Sequence, residues 1–167
     1  MRISVLLAFD EDACMRLLNH LARENAILLR ERPELPLLYD SRVRYERETD
    51  ETWCDFINML ARGKEDCDGL AAARAGELIA RGSQALRPGD GGYTLATRLR
   101  LSSIPSQVFL RTRTTPDSPG LYHCLVRYRI GSQTFIDDPS ARLGMHGSLS
   151  DDIKQRWKLQ EKQWRTT

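Results

Sequence analysis

Up to residue 82 the apolar residues of this chain recur at helical spacing, and from residue 104 they recur at every second position. That change of period limits what the chain can fold into. Helices placed first and strands afterwards do not build the alternating units of a parallel sheet. The order points to an α+β plan, with N-terminal helices packed on an antiparallel sheet. Asp10 can cap a helix over about residues 11–31, whose apolar stripe is Cys14, Leu17, Leu18, Leu21 and Leu28. Pro33 and Pro36 break it, and "RVRYERE" then alternates like a short strand or an extended arm. "TWCDFINMLARG" reads as a short helix closed by Gly63.

A second helix starts near Asp66 and ends at Gly82, with Cys67, Leu70, Ala71, Ala75, Leu78 and Ile79 on one side. Its many alanines predict close packing against a neighbour. The segment 83–103 carries several glycines and little periodicity, so it reads as a surface loop or flap. Three strands follow: "IPSQVFLRTR", then, after a "TTPDSPG" loop, "LYHCLVRYRI", then "TFIDDPS", ending at Pro139. The tail "DDIKQRWKLQEKQW" reads as a polar helix with Ile153, Trp157 and Trp164 on one side, a docking face for the domain.

The 167 residues suit one domain, 1–167, with an N-terminal helical part over 1–49 and a helical tail over 150–167. The 25 basic and 23 acidic residues leave a net charge of +2, too little field for nucleic acid as the main partner. No apolar run approaches a membrane span, and the start "MRISVLLAFDEDAC" lacks the core of a signal peptide. A cytoplasmic chain without a membrane partner is expected. Its four cysteines, Cys14, Cys54, Cys67 and Cys124, are then free thiols rather than disulfides.

Cys67 opens its helix, where unpaired N–H groups favour a thiolate, but Asp66 and Asp68 flank it. A dipole contribution of roughly 0.3–1 kcal/mol can be cancelled by two carboxylates. An imidazolium must then supply most of the stabilisation. Of the three histidines, His20 lies within the first helix, His146 in the polar "GMHGS" segment, and His123 on a strand beside a hairpin. If Gly131 and Ser132 form a two-residue turn of the primed type, Ile130 pairs with Gln133 and Leu125 faces Asp138. Asp138 then becomes the same-face diagonal neighbour of His123, about 7–8 Å away. A three-residue turn would reverse the parity and select Asp137. The two-residue turn is the preferred reading.

A cysteine opening a helix, a strand histidine and an Asp-Pro-Ser on the next strand resemble the transglutaminase-like branch of the papain fold. The residues that carry the resemblance are "DCDGLAAARAGELIARG", "YHCLVRY" and "IDDPS", within a core of about residues 50–142. "ETWCDFINMLARGKEDCDGLAAARA" and "DDPSARLGM" are also similar to transglutaminase-like proteins encoded among bacteriophage structural genes. The resemblance implies Cys67 as nucleophile, His123 as general base and Asp138 as the orienting acid. It implies an oxyanion held by the Cys67 backbone N–H, with the Trp53 indole as a candidate second donor. The implied reaction is acyl transfer from a peptide or protein substrate through a thioester, with hydrolysis favoured over cross-linking. The implied setting is the host cytoplasm or a phage particle, beside phage structural proteins.

Each residue also has a plainer role. Cys67 can be a small buried filler, as free cysteines often are; Trp53 and Cys124 can be core, and Asp137-Asp138-Pro139 a strand end. The competing function is a non-catalytic structural or assembly protein of a phage particle that keeps the fold. No cofactor and no resident metal is expected. A zinc site from Cys54, Cys67, His123 and Cys124 lacks the usual closely spaced ligand pair.

Overall fold

The structure is a computed structural model that describes residues 10–47, 52–115 and 118–145. Helix α1 spans Glu11–Glu31, and Asp10 caps it by accepting the Ala13 N–H at 2.7 Å. A single 3-10 turn at Leu38–Asp40 leads to β1, Arg44–Tyr45. Helix α2 covers Phe56–Arg62, with Asp55 accepting the Asn58 N–H at its start and left-handed Gly63 at its end. Strand β2, Lys64–Glu65, pairs parallel to β1, a pairing the sequence reading did not contain. Helix α3, Cys67–Arg81, follows at once.

Helix α3 is the centre of the molecule. A single buried side was expected, but every residue from Asp68 to Leu78 is buried. Ala71, Ala72, Ala75 and Leu78 join the core under the sheet, while Leu70 and Ala73 join a second cluster with Leu29, Leu38, Phe56 and Met59. Alanines and Gly76 suit that position, since small residues let neighbouring backbones approach. A methyl group at Gly76 would stand 2.6 Å from the Ala22 carbonyl oxygen of α1. That close crossing also shifts the stripe of α1 from the expected large residues. Leu18, Ala22, Ala26 and Leu29 are buried, whereas Cys14, Leu17, Leu21 and Leu28 are half-buried.

The segment 83–103 is not a loose flap. It holds a 3-10 turn at Gly82–Ala85 and helix α4 at Tyr93–Leu99, and it buries Ala85, Leu86 and Ala96. Two of its glycines are closely covered: a methyl group at Gly91 would lie 2.6 Å from the Phe135 ring, and one at Gly92, which also has φ +70°, 2.5 Å from the tip of Ile130. Tyr128 donates its hydroxyl to the Gly91 carbonyl at 2.8 Å, which pins the segment to the sheet.

The sheet is antiparallel in the order β3-β4-β5, from Ser106–Thr115, Ser118–Ile130 and Gln133–Asp137. The strands β3 and β4 run further than "TTPDSPG" predicted, with Thr115 paired to Ser118. The other hairpin has the expected register, with Ile130 opposite Gln133 and Val126 opposite Asp137. Gly131 has φ +61°, while Ser132 keeps a negative φ, as a turn with glycine at its first central position requires. Val108, Cys124, Val126, Tyr128 and Ile130 face the helices in one core. Helix α5, Pro139–Arg142, closes the described part. This is the α+β plan, helices on one antiparallel sheet. The described helices include none long and apolar enough to cross a membrane. The chain start, the tail helix with Ile153, Trp157 and Trp164, and His146 lie outside the described residues.

Candidate active site

Cys67 is the first residue of α3, where first-turn N–H groups lack an intrahelical acceptor. Strand β4 supplies its partners through a break in the sheet. Odd-numbered N–H groups of β4 turn towards β3, as that of Arg129 does to Pro105 O at 3.0 Å. Even-numbered ones therefore turn towards β5. But β5 ends at Asp137, opposite Val126, and the chain turns off into α5. The next such group, the N–H of Cys124, lies beyond the paired part of β5 and helps to lower the Cys67 thiol pKa. Cys124, on the core face of β4, and His123, on the other, both act on the charge of the Cys67 sulfur.

His123 Nε2 lies 3.0 Å from Asp138 Oδ2, which leaves Nδ1 as the ring nitrogen for Cys67. The other Asp138 oxygen accepts the Ala141 N–H at 3.0 Å and caps α5. One carboxylate therefore starts a helix and orients a histidine, and neither oxygen is free to swing away. His123 is only 3% exposed.

The charges follow from these contacts. The Cys124 thiol hydrogen bond holds Cys67 down at about 5; burial opposes it, and His123 adds to the lowering. Cys124 keeps its proton far beyond the ordinary thiol range, because Cys67 accepts it and burial adds to the effect. Burial disfavours the His123 cation, but Asp138 and then Cys67 outweigh that and push it up to about 9. Cys67 and His123 therefore form a thiolate–imidazolium pair near neutral pH.

Asp137, the alternative acid, points the other way. It accepts from Arg74 Nε and from the Tyr39 hydroxyl, each at 2.8 Å. The Trp53 indole N–H is not free for an oxyanion, since it donates to Asp68. Asp68 also accepts the Gly69 N–H at 2.6 Å, so this acidic neighbour of Cys67 is held by its own bonds. His20 is exposed on α1. Cys54 does not join the other thiols: its sulfur donates to Glu65 Oε2 at 2.9 Å, and burial, then Glu65, push its pKa up to about 12. The four residues weighed for zinc do not gather. Among the described residues, only Glu65, Asp66 and Asp68 bring three potential ligand atoms within 4.8 Å of one another. Arg62 and Cys54 already engage Glu65, and Trp53 engages Asp68.

Two neighbours were not read from the sequence. Cys124 was assigned to the core, which is where it lies, but its contact with Cys67 depends on where β5 stops. Tyr45 sits on β1, whose backbone bonds Tyr45 N to Leu143 O and Glu46 N to Glu65 O, each at 2.9 Å. These bonds tie the chain just before Cys67 to the chain just after Asp138. Burial, then the negative charges of Cys67, Asp66 and Asp138, raise the Tyr45 hydroxyl pKa. Tyr45 also lines a groove of about 290 Å³ with Arg44, Glu46, Arg62, Gly63 and Lys64. The chain matches no family model, and no curated protein or solved structure matches it.

Proposed function

We propose that this chain is a cysteine hydrolase or acyltransferase acting on peptide or amide bonds, built on a transglutaminase-like, papain-related core. The observation that carries the reading is the 3.0 Å contact of His123 Nε2 with Asp138 Oδ2, on a histidine whose cation Cys67 also favours. A nucleophile, a base and an orienting acid in that order are what acyl transfer needs.

In this reading the Cys67 thiolate attacks the substrate carbonyl carbon. The oxyanion develops against the N–H groups at the start of α3, a position that stabilises negative charge. Protonated His123 gives its proton to the leaving amine, and a thioester remains. Neutral His123 then takes a proton from the acyl acceptor. Water gives hydrolysis, the reaction we favour; an amine gives an isopeptide bond. Asp138 holds the imidazole in one tautomer throughout. The groove beside Tyr45 offers room for a substrate segment.

The test is Cys67 alkylation by iodoacetamide between pH 4 and 9, read by mass spectrometry, with Cys14 and Cys54 as internal controls. An unfolded protein substrate is then assayed for new termini and for cross-links. Fast labelling well below the free-thiol pKa of about 8.5, lost in His123→Ala, supports the reading. Labelling at an ordinary thiol's rate, with neither product, removes it. What remains is the non-catalytic reading, an assembly protein of a phage particle.

A further inference from the structure

Acyl transfer through Cys67, His123 and Asp138 gives the short sheet of β1 and β2 no task beyond leaving room for a substrate. In that sheet Arg44 pairs with Lys64 and Tyr45 with Glu65. Paired residues share a face and successive residues alternate. Arg44, Lys64 and Glu46, the residue after β1, therefore stand on one face, and Tyr45 and Glu65 on the other. Glu65 is fully buried, whereas Arg44, Glu46 and Lys64 are exposed. With Tyr45, Arg62 and Gly63 these exposed residues line the groove of about 290 Å³.

The charges of this groove do not balance. Arg62 pairs with Glu65 at 3.3 Å, and Lys64 pairs with Glu46. Among the described residues Arg44 has no ion pair. Three cations thus face two carboxylates, and the cation left over is the cross-strand partner of another, Lys64. Like charges so placed repel, and an anion in the groove relieves the repulsion.

The groove is also close to the nucleophile. Three Cα steps of about 3.8 Å separate Lys64 from Cys67, so the two backbones are at most about 11 Å apart. Backbone bonds hold β1 in place beside them. The Arg44 N–H donates to Gly63 O at 3.1 Å and the Glu46 N–H to Glu65 O at 2.9 Å. The Tyr45 N–H donates to Leu143 O at 2.9 Å, which ties β1 to the segment after Asp138 as well. An extended peptide advances about 3.3 Å per residue, so a residue within about three of the reacting amide reaches the groove.

We propose that this groove is a subsite for an acidic side chain, Glu or Asp, of the peptide substrate, and that Arg44 is the residue that selects it. The inference rests on the acyl-transfer reading for the nucleophile it serves. The Arg44 guanidinium offers paired N–H donors that match a carboxylate. Lys64 and Arg62 keep their own partners and contribute field rather than contacts. The preference is one of binding, so it belongs to the concentration dependence of the reaction rather than to its maximal rate.

The deciding experiment labels the full-length protein with chloroacetyl-Gly-Glu-amide, chloroacetyl-Gly-Gln-amide and chloroacetyl-Gly-Lys-amide. The chloroacetyl carbon alkylates a thiol, and the amidated ends leave the side chain as the only difference in charge. Cys67 adducts are followed by mass spectrometry over a range of probe concentrations, with Cys14 and Cys54 as internal controls. At low concentration the glutamyl probe should label Cys67 about fivefold faster than the glutaminyl probe, with the lysyl probe slowest. The ratio should fall towards one in about 1 M salt. Arg44→Ala should bring the glutamyl and glutaminyl rates together, and Arg44→Glu should make the lysyl probe the fastest, a reversal that misfolding does not produce. Equal glutamyl and glutaminyl rates in wild-type protein overturn the proposal, and so does a glutamyl preference that survives in Arg44→Glu. Fast low-pH iodoacetamide labelling with equal probe rates removes the subsite and leaves the acyl-transfer reading standing. A glutamyl preference at a Cys67 that meets iodoacetamide as an ordinary thiol sustains the carboxylate-binding groove while that reading fails.

Discussion

Asp137 and Asp138 are neighbours in the chain, and the pleat sends their carboxylates to opposite faces of the sheet. Asp138 serves His123, while Asp137 serves Arg74 and Tyr39. Their amide variants should therefore differ in kind. Asp138→Asn removes the anion that most favours protonated His123, so Cys67 alkylation at pH 4, below its pKa of about 5, should fall by about tenfold, one pKa unit's worth, in a protein that still folds. Asp137→Asn weakens a buried charge network and should cost about 3 kcal/mol of stability, with the labelling rate per folded molecule unchanged. Urea unfolding and the labelling assay, run on both variants, separate these roles; exchanged results would reverse them. The pH window follows from the two shifts. Cys67, lowered, is thiolate above about 5, and His123, raised, is imidazolium below about 9. Substrate turnover should rise as pH passes the first value and fall as it passes the second. A single rise near the ordinary thiol pKa would show that the two groups titrate independently.

At the scale of elements, the crossing of α1 and α3 is set by what Gly76 lacks. A methyl group there meets the Ala22 carbonyl oxygen at 2.6 Å, a backbone atom that no rotamer change can move. Gly76→Ala gains about 1 kcal/mol in helix propensity and loses roughly 1–3 kcal/mol by overpacking. The expected outcome is a net loss, seen as a lower urea midpoint with an unchanged slope. A higher midpoint would mean that the helices separate at little cost. The hairpin of β4 and β5 was legible for a local reason. A two-residue turn with glycine first sets the register, and register sets parity, so Asp138 was selected from the sequence. The 83–103 segment was misread because its glycines look the same whether they provide freedom or close contact. Only Ile130 and Phe135 packing against Gly91 and Gly92 tell the two apart.

Across the whole molecule, Arg74 ties the parts around α3 together. Its fully buried guanidinium reaches Glu77 at 2.5 Å, Asp137 and the Ala85 carbonyl, with Asp90 at 3.4 Å. Glu77 in turn accepts the Leu38 N–H at 2.6 Å, and the Tyr39 ring lies between Arg74 and Arg142 at 4.5 and 4.1 Å. Arg74→Met leaves buried carboxylates without their cation and should cost about 3–5 kcal/mol. Hydrogen exchange should show residues 38–40 and 82–92 losing protection before the sheet does; uniform loss would mean that the network holds no local unit. An arginine and a glutamate three apart in an alanine-rich helix were a visible signal of such a pair, but nothing local showed that this face is buried. The sequence by itself determined the order of helices before strands, the cap at Asp10, the β4–β5 register and hence the pairing of His123 with Asp138. These depend on period, parity and turn chemistry within a few residues. Only the tertiary structure decided that α3 is buried all round, that β5 stops where Cys124 can turn to Cys67, and that Trp53 holds Asp68. Those outcomes depend on which distant segments exclude water from one another, and no local pattern carries that information.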